Sequence, residues 1–369
     1  MSAPRLEINL DKIQHNARIL VERLGARGIA VTGVTKSFLG SPVIAGVLLR
    51  AGVSSLGDSR IENIKTMRNA NIAASMSLIR LPMPSQVDQV VAHTDVSFNT
   101  ELEVIRELSA AALRAKRAHE IVLMVELGDL REGIMPADLE STVHETLRLP
   151  NIRLKGIGAN LACRSGVSPD ARNMAELSAL ADSVEARFEL KLGLVSGGNS
   201  GNLEWALNGA DTGRVNDLRL GESILLGCET LHRHAIEGLY TDAITLVAEV
   251  IESKRKPSKP WGELTQNAFG EQPVVLDRGV ISQTILAIGQ QDIDPTGLQA
   301  PQGIEILGAS SDHLIVDAGK RLSPGNEIRF QPNYSGLVRA MTSSFVIKKF
   351  TGLEASDNPA TGRSARWCA

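Results

Sequence analysis

Two hydrophobic rhythms divide this chain. From residue 29 to residue 219, apolar β-branched runs of strand length alternate with stretches whose apolar residues recur at helical spacing. The first run, IAVTGVTK (29–36), has no helical period and lies between Gly28 and the pair Gly40 and Pro42, so it reads as a buried strand closing on Lys36. Strands follow at 54–57, 76–81, 95–98, 120–126, 152–158, 192–196 and 214–219, with helices near 42–51, 60–69, 85–92, 101–118, 137–147, 171–188 and 201–207. Eight strands alternating with helices predict a (β/α)8 TIM barrel, with a doubly wound open sheet as the rival closure. Upstream, Asp11 caps a helix with Ile13, Ala17, Leu20 and Leu24 on one face.

After residue 235 the rhythm changes to short β-rich runs: TLVAEVIES, PVVLD, TILAIG, IEILG, HLIVD, EIRF and SSFVIKK. These predict a second, mostly antiparallel β domain, and the strand at 6–10 lies outside the barrel count and is assigned to it. The expected domains are therefore a barrel over 11–234, a β domain from 1–10 and 235–350, and a loose polar tail over 351–369. The basic run KRKPSKP (254–260) has no interleaved aromatic residues and reads as a solvated hairpin loop.

Composition narrows the classes. A chain of 369 residues with 43% hydrophobic residues can bury two cores, and a formal charge of -3 leaves no global field for nucleic acid or an anionic membrane. Cys163, Cys228 and Cys368 are odd in number and widely spaced, which argues against a disulfide framework or a structural zinc site. Arg5, Glu7, Asp11 and Lys12 stand where a signal peptide needs an apolar core, and no run approaches the ~20 apolar residues of a membrane span. A cytoplasmic, unanchored protein with a small-molecule substrate is expected.

Lys36 carries the first candidate chemistry. Desolvation at a strand end favours the neutral amine, which can attack an aldehyde to form a Schiff base; the alternative is a lysine that simply reaches solvent. Barrel enzymes place their sites at strand carboxyl ends and often hold phosphate with the loops after strands seven and eight. Here those loops are SGGNSGN, with Ser196, Asn199 and Ser200, and RLGES, with Arg219, Gly221 and Glu222. Either loop alone reads as a glycine turn or helix cap. Together with Lys36 they describe a site for pyridoxal 5'-phosphate. An arginine facing the pyridine nitrogen cannot readily surrender a proton, so it would leave that nitrogen unprotonated and weaken the electron sink.

The stretches VTKSF, GDSRIENIK, RLPM, LMVELGDLREGI, GIGANLACRSGV, SGGNS, LRLGESILLG, LGASSDHLIVD and NYSGLVRAMTS resemble the fold-type III pyridoxal phosphate enzymes of the alanine racemase family, within them the ornithine racemase group. The likeness covers about residues 4–348. It implies a barrel joined to a β domain in a head-to-tail homodimer, and racemisation by removal and return of the α-proton of an amino acid such as ornithine or lysine. By the same resemblance Lys36 is the Schiff-base lysine and first base, and Arg219 the partner of the ring nitrogen. Ser200 with the backbone of Gly221 and Glu222 forms the phosphate cradle, joined by Tyr334. Asn160 stands beside the ring, and Arg131 near the substrate carboxylate.

Two positions depart from the family. Gln290 stands where a catalytic tyrosine is usual, and Gly40 replaces a tyrosine four residues after the lysine. Glutamine takes up no proton, so a racemase needs another group on the second face of the planar carbanion. His313 is the first choice, with Asp312 to orient it, and Asp292 and Tyr334 follow; Ser311 and Asp292 are also candidate substrate contacts. Asp312, Asp292 or Glu222 could meet a distal ammonium. Cys163 reads as a small buried residue, with a thiol base as the alternative, and Glu126 and Asp129 as partners of Arg131. No metal-ligand set is evident. The competing functions are a decarboxylase or aldolase on the same fold, and a non-enzymatic pyridoxal phosphate homeostasis protein.

Overall fold

A computed structural model describes residues 3–270, 272 and 276–352. Residues 273–275 of the PVVLD run, Cys368 and residues 353–369 of the expected tail lie outside the described residues. The chain forms two compact units, one from Lys12 to Thr241 and one from the residues up to Asp11 together with those from Asp242 onward.

In the first unit, eight parallel strands close into a barrel. In chain order, β1 (Arg5–Asn9) and α1 (Leu10–Gly25) precede β2 (Ala30–Val34), α2 (Pro42–Arg50), β3 (Ser55–Asp58), α3 (Ile61–Asn69), β4 (Met76–Leu78), α4 (Val87–His93) and β5 (Val96–Asn99). There follow α5 (Leu102–Arg114), β6 (His119–Met124), α6 (Leu139–Leu147), β7 (Ile152–Gly158), α7 (Ala171–Phe188), β8 (Leu194–Ser196), α8 (Leu203–Leu207), β9 (Asp217–Leu220) and α9 (Glu222–Leu226). Closure comes from β2 pairing with β9, Thr32 opposite Arg219. Val96, Phe98, Val122 and Met124 pack together as a buried apolar cluster. The open-sheet alternative is thereby excluded.

Element ends differ from expectation for local reasons. The first barrel strand stops at Val34, and Lys36 opens a 3-10 turn, Lys36–Phe38. Thr35 starts this turn: its carbonyl accepts from Gly40 N–H at 3.2 Å, and Leu39 and Gly40 both take positive φ. The helix expected to reach 118 ends at Arg114, because Lys116 adopts φ 53° and Arg117 N–H turns back to Ala112 O at 3.1 Å.

The second unit is one eight-stranded sheet. Its remaining elements are β10 (Ile244–Pro257), β11 (Val280–Leu286), β12 (Leu298–Gln299), β13 (Glu305–Ala309), β14 (Leu314–Asp317), β15 (Glu327–Pro332), α10 (Tyr334–Thr342) and β16 (Ile347–Thr351). The order is β12-β15-β10-β11-β14-β13, with β1 antiparallel to β10 and parallel to β16. Thus the N-terminal strand does belong to this sheet.

Two expectations fail here. Lys254–Pro257 are not a hairpin loop; they extend β10 and pair with β11, Lys254 opposite Gln283 and Pro257 opposite Val280. Their charge is tolerated in the strand because Lys254 and Lys256 share Glu252, at 2.8 and 2.5 Å. The helix α10 was not anticipated in an otherwise β domain; Asn333 caps it, its side-chain oxygen accepting from Gly336 N–H at 3.0 Å.

Candidate active site

The carboxyl ends of the barrel strands gather Lys36, Arg131, Asn160, Cys163, Ser200 and Arg219. Lys36 follows Thr35, whose hydroxyl donates to Asp58 at 2.5 Å. The buried Asp58 also accepts from Arg60 N–H at 2.8 Å and Asn63 Nδ2 at 3.0 Å, so three donors fix the carboxylate that anchors the lysine turn. Burial raises the Asp58 pKa, and these hydrogen bonds oppose the rise.

The Lys36 side chain is exposed at the open barrel mouth. Protein packed around its amine nonetheless lowers its pKa, chiefly by desolvation. Cys163 and Asp58 pull the value back up, while Arg131 and Arg219 push it further down. A lowered lysine pKa increases the fraction of neutral amine, the form that attacks carbonyls and accepts protons.

Arg219 points into the barrel and is 5% exposed. It donates to Ser196 Oγ at 2.5 Å, Ala159 O at 2.7 Å and Asn160 Oδ1 at 3.3 Å, and lies 5.3 Å from the Phe98 ring centroid. Desolvation lowers its pKa, with Asp217 opposing. Ser196 takes no free hydroxyl to a ligand, since it donates to Asp217 while accepting from Arg219. Its place in the site is to orient Arg219.

The loops after β8 and β9 meet through hydroxyls. Ser200 Oγ lies 3.0 Å from Ser223 Oγ and accepts from Ser223 N–H at 3.3 Å, joining the SGGNS turn to the start of α9 next to Gly221 and Glu222. The turn depends on Gly198, at φ +147°, where a Cβ would lie 2.1 Å from Asn202 Oδ1. Asn199 caps the turn by accepting from Gly201 N–H at 2.7 Å, and donates to Leu161 O at 2.8 Å and Asn160 Oδ1 at 3.2 Å. Asn160 Nδ2 is buried and has no hydrogen-bond partner among the described residues. The Glu222 carboxylate pairs with Arg233.

Arg131 sits on a loop held by two acidic residues, but not as expected. Glu126 accepts from Gly128 and Leu130 N–H, at 2.5 and 3.0 Å, and Asp129 accepts from the N–H groups of Cys163, Arg164 and Ser165, at 3.2, 2.9 and 3.0 Å. These carboxylates satisfy backbone donors instead of pairing with Arg131. Glu132 pairs with Arg131 through its Nε and Nη2 and keeps its pKa raised against the effect of burial. Cys163 is exposed, contrary to the buried reading, on a loop whose backbone N–H groups donate to Asp129.

The β-domain candidates form two groups. Ser311, Asp312 and His313 lie on the turn between β13 and β14, beside Gln290, whose N–H donates to Ser310 O at 2.8 Å. Asp312 accepts from Gln291 at 3.0 Å and Ser311 at 2.7 Å; the His313 ring meets Ser310 Oγ at 3.4 Å, so Ser310 and not Asp312 orients it. The Asp292 carboxylate accepts from Ser343 Oγ at 2.6 Å. Arg339 of α10 donates to Gln290 O at 3.1 Å and so steadies the same segment. Tyr334 opens α10 and is half-buried. Among the described residues no group of three or more His, Cys, Asp or Glu side chains is placed to hold a metal ion.

Asp58, Glu132, Asp217 and Arg339 were not among the residues read from the sequence. Asp217 was readable: it stands two residues before Arg219 and so shares its inward face on one strand.

The family described as "Alanine racemase, N-terminal domain" matches residues 8–227. An ornithine racemase from Acetoanaerobium sticklandii is 38% identical over 351 residues, covering 94% of this chain and 99% of that protein. A lysine racemase from Thermotoga maritima is 38% identical over 353 residues, covering 95% and 99%. Among solved structures, alanine racemase from D-cycloserine-producing Streptomyces lavendulae aligns with a TM-score of 0.75 at 19% identity, over 97% of this chain and all of that one. D-threonine aldolase from Filomicrobium marinum aligns with a TM-score of 0.71 at 14% identity, over 94% of this chain and 89% of that one, a likeness of fold. With a parallel barrel ending on Lys36 and a family match over more than half its length, the chain belongs to the alanine racemase family.

Proposed function

We propose that this protein is a pyridoxal phosphate-dependent amino-acid racemase acting on ornithine, lysine or a similar basic amino acid. The observation that carries the reading is Lys36, which opens the turn just beyond the first barrel strand and whose pKa is lowered by protein packed around its amine and by Arg131 and Arg219. The nearly full-length relatives named ornithine racemase and lysine racemase support the reaction and the basic substrate.

The residues present fit pyridoxal phosphate. Asn160 Nδ2 is a buried donor lacking a partner among the described residues, Lys36 is an amine disposed toward its neutral form, and the Ser200–Ser223 pair joins the two glycine-bearing loops. Lys36 would hold the aldehyde carbon, Arg219 the ring nitrogen, Asn160 the ring edge, and Ser200 with the backbone of Gly221 and Glu222 the phosphate; Tyr334 joins the phosphate end. When bound, pyridoxal phosphate supplies the aldehyde that captures the substrate amine and the electron sink that acidifies its Cα–H.

Within that frame the chain's residues divide the work. Lys36, its pKa lowered chiefly by desolvation, accepts the α-proton and returns it on the same face. Arg131 binds the substrate carboxylate through the guanidinium edge that Glu132 leaves open. Arg219, unable to give up its proton, donates a hydrogen bond without protonating its partner. His313 serves the second face, with Ser311 and Asp312 on the same turn as contacts to substrate and Asp292 as a further carboxylate for a distal ammonium. The working form is a head-to-tail homodimer in the cytoplasm. No helix among the described residues is long and apolar enough to cross a membrane.

Purified protein loaded with pyridoxal phosphate and incubated with a panel of L-amino acids in D2O tests the reading. D-Ornithine or D-lysine carrying deuterium at Cα is expected. Released carbon dioxide would replace racemase with decarboxylase, and no exchange with any amino acid would favour a binding protein.

A further inference from the structure

The cofactor reading leaves one buried carboxylate without a role. Asp217 is 2% exposed and stands two residues before Arg219 on β9, so both side chains point into the barrel. Ser196, fully buried, bridges them: its hydroxyl accepts from Arg219 Nη1 at 2.5 Å and donates to Asp217 Oδ2 at 2.5 Å. The other carboxylate oxygen accepts from Thr32 Oγ1 at 2.6 Å, and that hydroxyl lies 2.8 Å from Ser55 Oγ. The chain of hydrogen bonds thus runs Arg219, Ser196, Asp217, Thr32, Ser55.

A guanidinium so buried stays charged, and a buried charge needs a hydrogen-bonded counter-charge to be tolerated. Its other contacts, Ala159 O, Asn160 Oδ1 and the Phe98 ring, are neutral, while Glu132, Arg131 and the Cys163 thiol act on it through space. Asp217 is the carboxylate wired to it. The hydroxyl bridge has a further effect: Ser196 carries one proton, and with that proton on Asp217 only its lone pairs face Arg219. The guanidinium is thereby fixed in angle as well as balanced in charge.

Resting on the proposed cofactor, we propose that Asp217, acting through Ser196, is a positioning residue that fixes Arg219 toward the pyridine nitrogen and damps the positive charge it presents there. Damping keeps the ring a weak electron sink, so a carbanion on the substrate is reprotonated at Cα before it is diverted to transamination.

Two substitutions separate charge from bridge. Asp217→Asn keeps the shape and removes the charge; Ser196→Ala keeps the charge and cuts the bridge. Each is compared with the parent as apoprotein by thermal melting, in affinity for pyridoxal phosphate, in the pH midpoint of the bound chromophore's absorbance, and in transamination events per racemisation. Removing a nearby negative charge disfavours the protonated chromophore. The Asp217→Asn midpoint is therefore expected to fall by roughly half a pH unit or more, with transamination per turnover rising several-fold. Ser196→Ala is expected to weaken cofactor affinity about tenfold, as for a lost hydrogen bond to a charged group, with a smaller midpoint shift.

A folded, loaded Asp217→Asn protein with the parent's midpoint and the parent's transamination ratio overturns the proposal. So does lowered melting in both variants without any midpoint shift, which is what a purely structural role would give. Should Asp217→Asn fail to fold, Ser196→Ala decides: parental affinity overturns the proposal, and a tenfold loss in an apoprotein that melts like the parent upholds it. Failure of the parent itself to load pyridoxal phosphate on Lys36 sinks the cofactor reading and this inference together; a parent that loads normally confines any failure to the inference.

Discussion

Replacing Gly40 with alanine probes the turn that presents Lys36. Gly40 has φ +63°, and a Cβ there would lie 2.7 Å from the Asn63 carbonyl oxygen and 2.9 Å from Asn63 Cβ. The left-handed backbone costs an L-residue roughly 1–2 kcal/mol. Relieving an overpacked contact against backbone costs about 1–3 kcal/mol more. The combined loss is therefore roughly 2–5 kcal/mol. Because Asn63 also donates to Asp58, and Asp58 accepts from Thr35, the strain is delivered to the residue preceding Lys36. Urea denaturation of parent and variant gives the stability difference, and the rate of borohydride trapping of pyridoxal phosphate on Lys36 gives the functional one. Leu39→Gly is the control, since it relaxes a residue at φ 55° and adds no contact. A Gly40→Ala protein within about 0.5 kcal/mol of the parent, the range of an ordinary surface substitution, and trapped at the parental rate would refute the reasoning. The same geometry explains why no tyrosine stands at this position.

Other expectations follow from particular groups. His119 is fully buried against Ser97 Oγ at 2.8 Å, and burial pushes its pKa down to about 4. Its folded pKa lies below its unfolded value near 6.5, so the unfolded chain binds the proton more readily; stability is full above about pH 6.5 and falls by about 3 kcal/mol toward pH 4. His119→Phe should remove that slope from the pH dependence of melting. In the β domain, Glu7 is held near pKa 2 by Arg329 and Arg5 against the effect of burial, so its contribution is present above about pH 4.5 and lost as pH falls toward 2; Glu7→Gln should flatten that part of the profile. Glu132→Gln frees Arg131 from its partner and should change KM for the amino acid more than kcat, whereas an equal change in both would point to damage of the loop. His313→Ala should slow exchange of the Cα proton for one enantiomer selectively, and equal loss for both enantiomers would remove His313 from the second face.

The barrel was legible because its strands are buried on both sides and read as unbroken apolar runs, and because Lys36 and the two glycine loops occupy positions that barrel geometry reserves for chemistry. What was not legible depended on partners, near and remote in sequence, that composition does not announce. Lys254–Pro257 have the composition of a loop, yet β11 supplies their ladder and Glu252 their counter-charge. Cys163 looked like a small core residue until Asp129, 34 positions away, was found holding its N–H. Glu126 and Asp129 looked like partners of Arg131, but in their loops the demand of unpaired backbone N–H groups prevailed, leaving the arginine to Glu132. Helix α10 did leave a local signal, Leu337, Ala340 and Met341 on one buried face behind an Asn333 cap, within a region whose period otherwise reads as strand.

The account rests most heavily on Lys36. Protein loaded with pyridoxal phosphate, reduced with borohydride, digested and examined by mass spectrometry should carry the pyridoxyl group on the peptide containing Lys36, with the label and racemisation both lost in Lys36→Ala. A label on another lysine, or racemisation that survives Lys36→Ala, would contradict it.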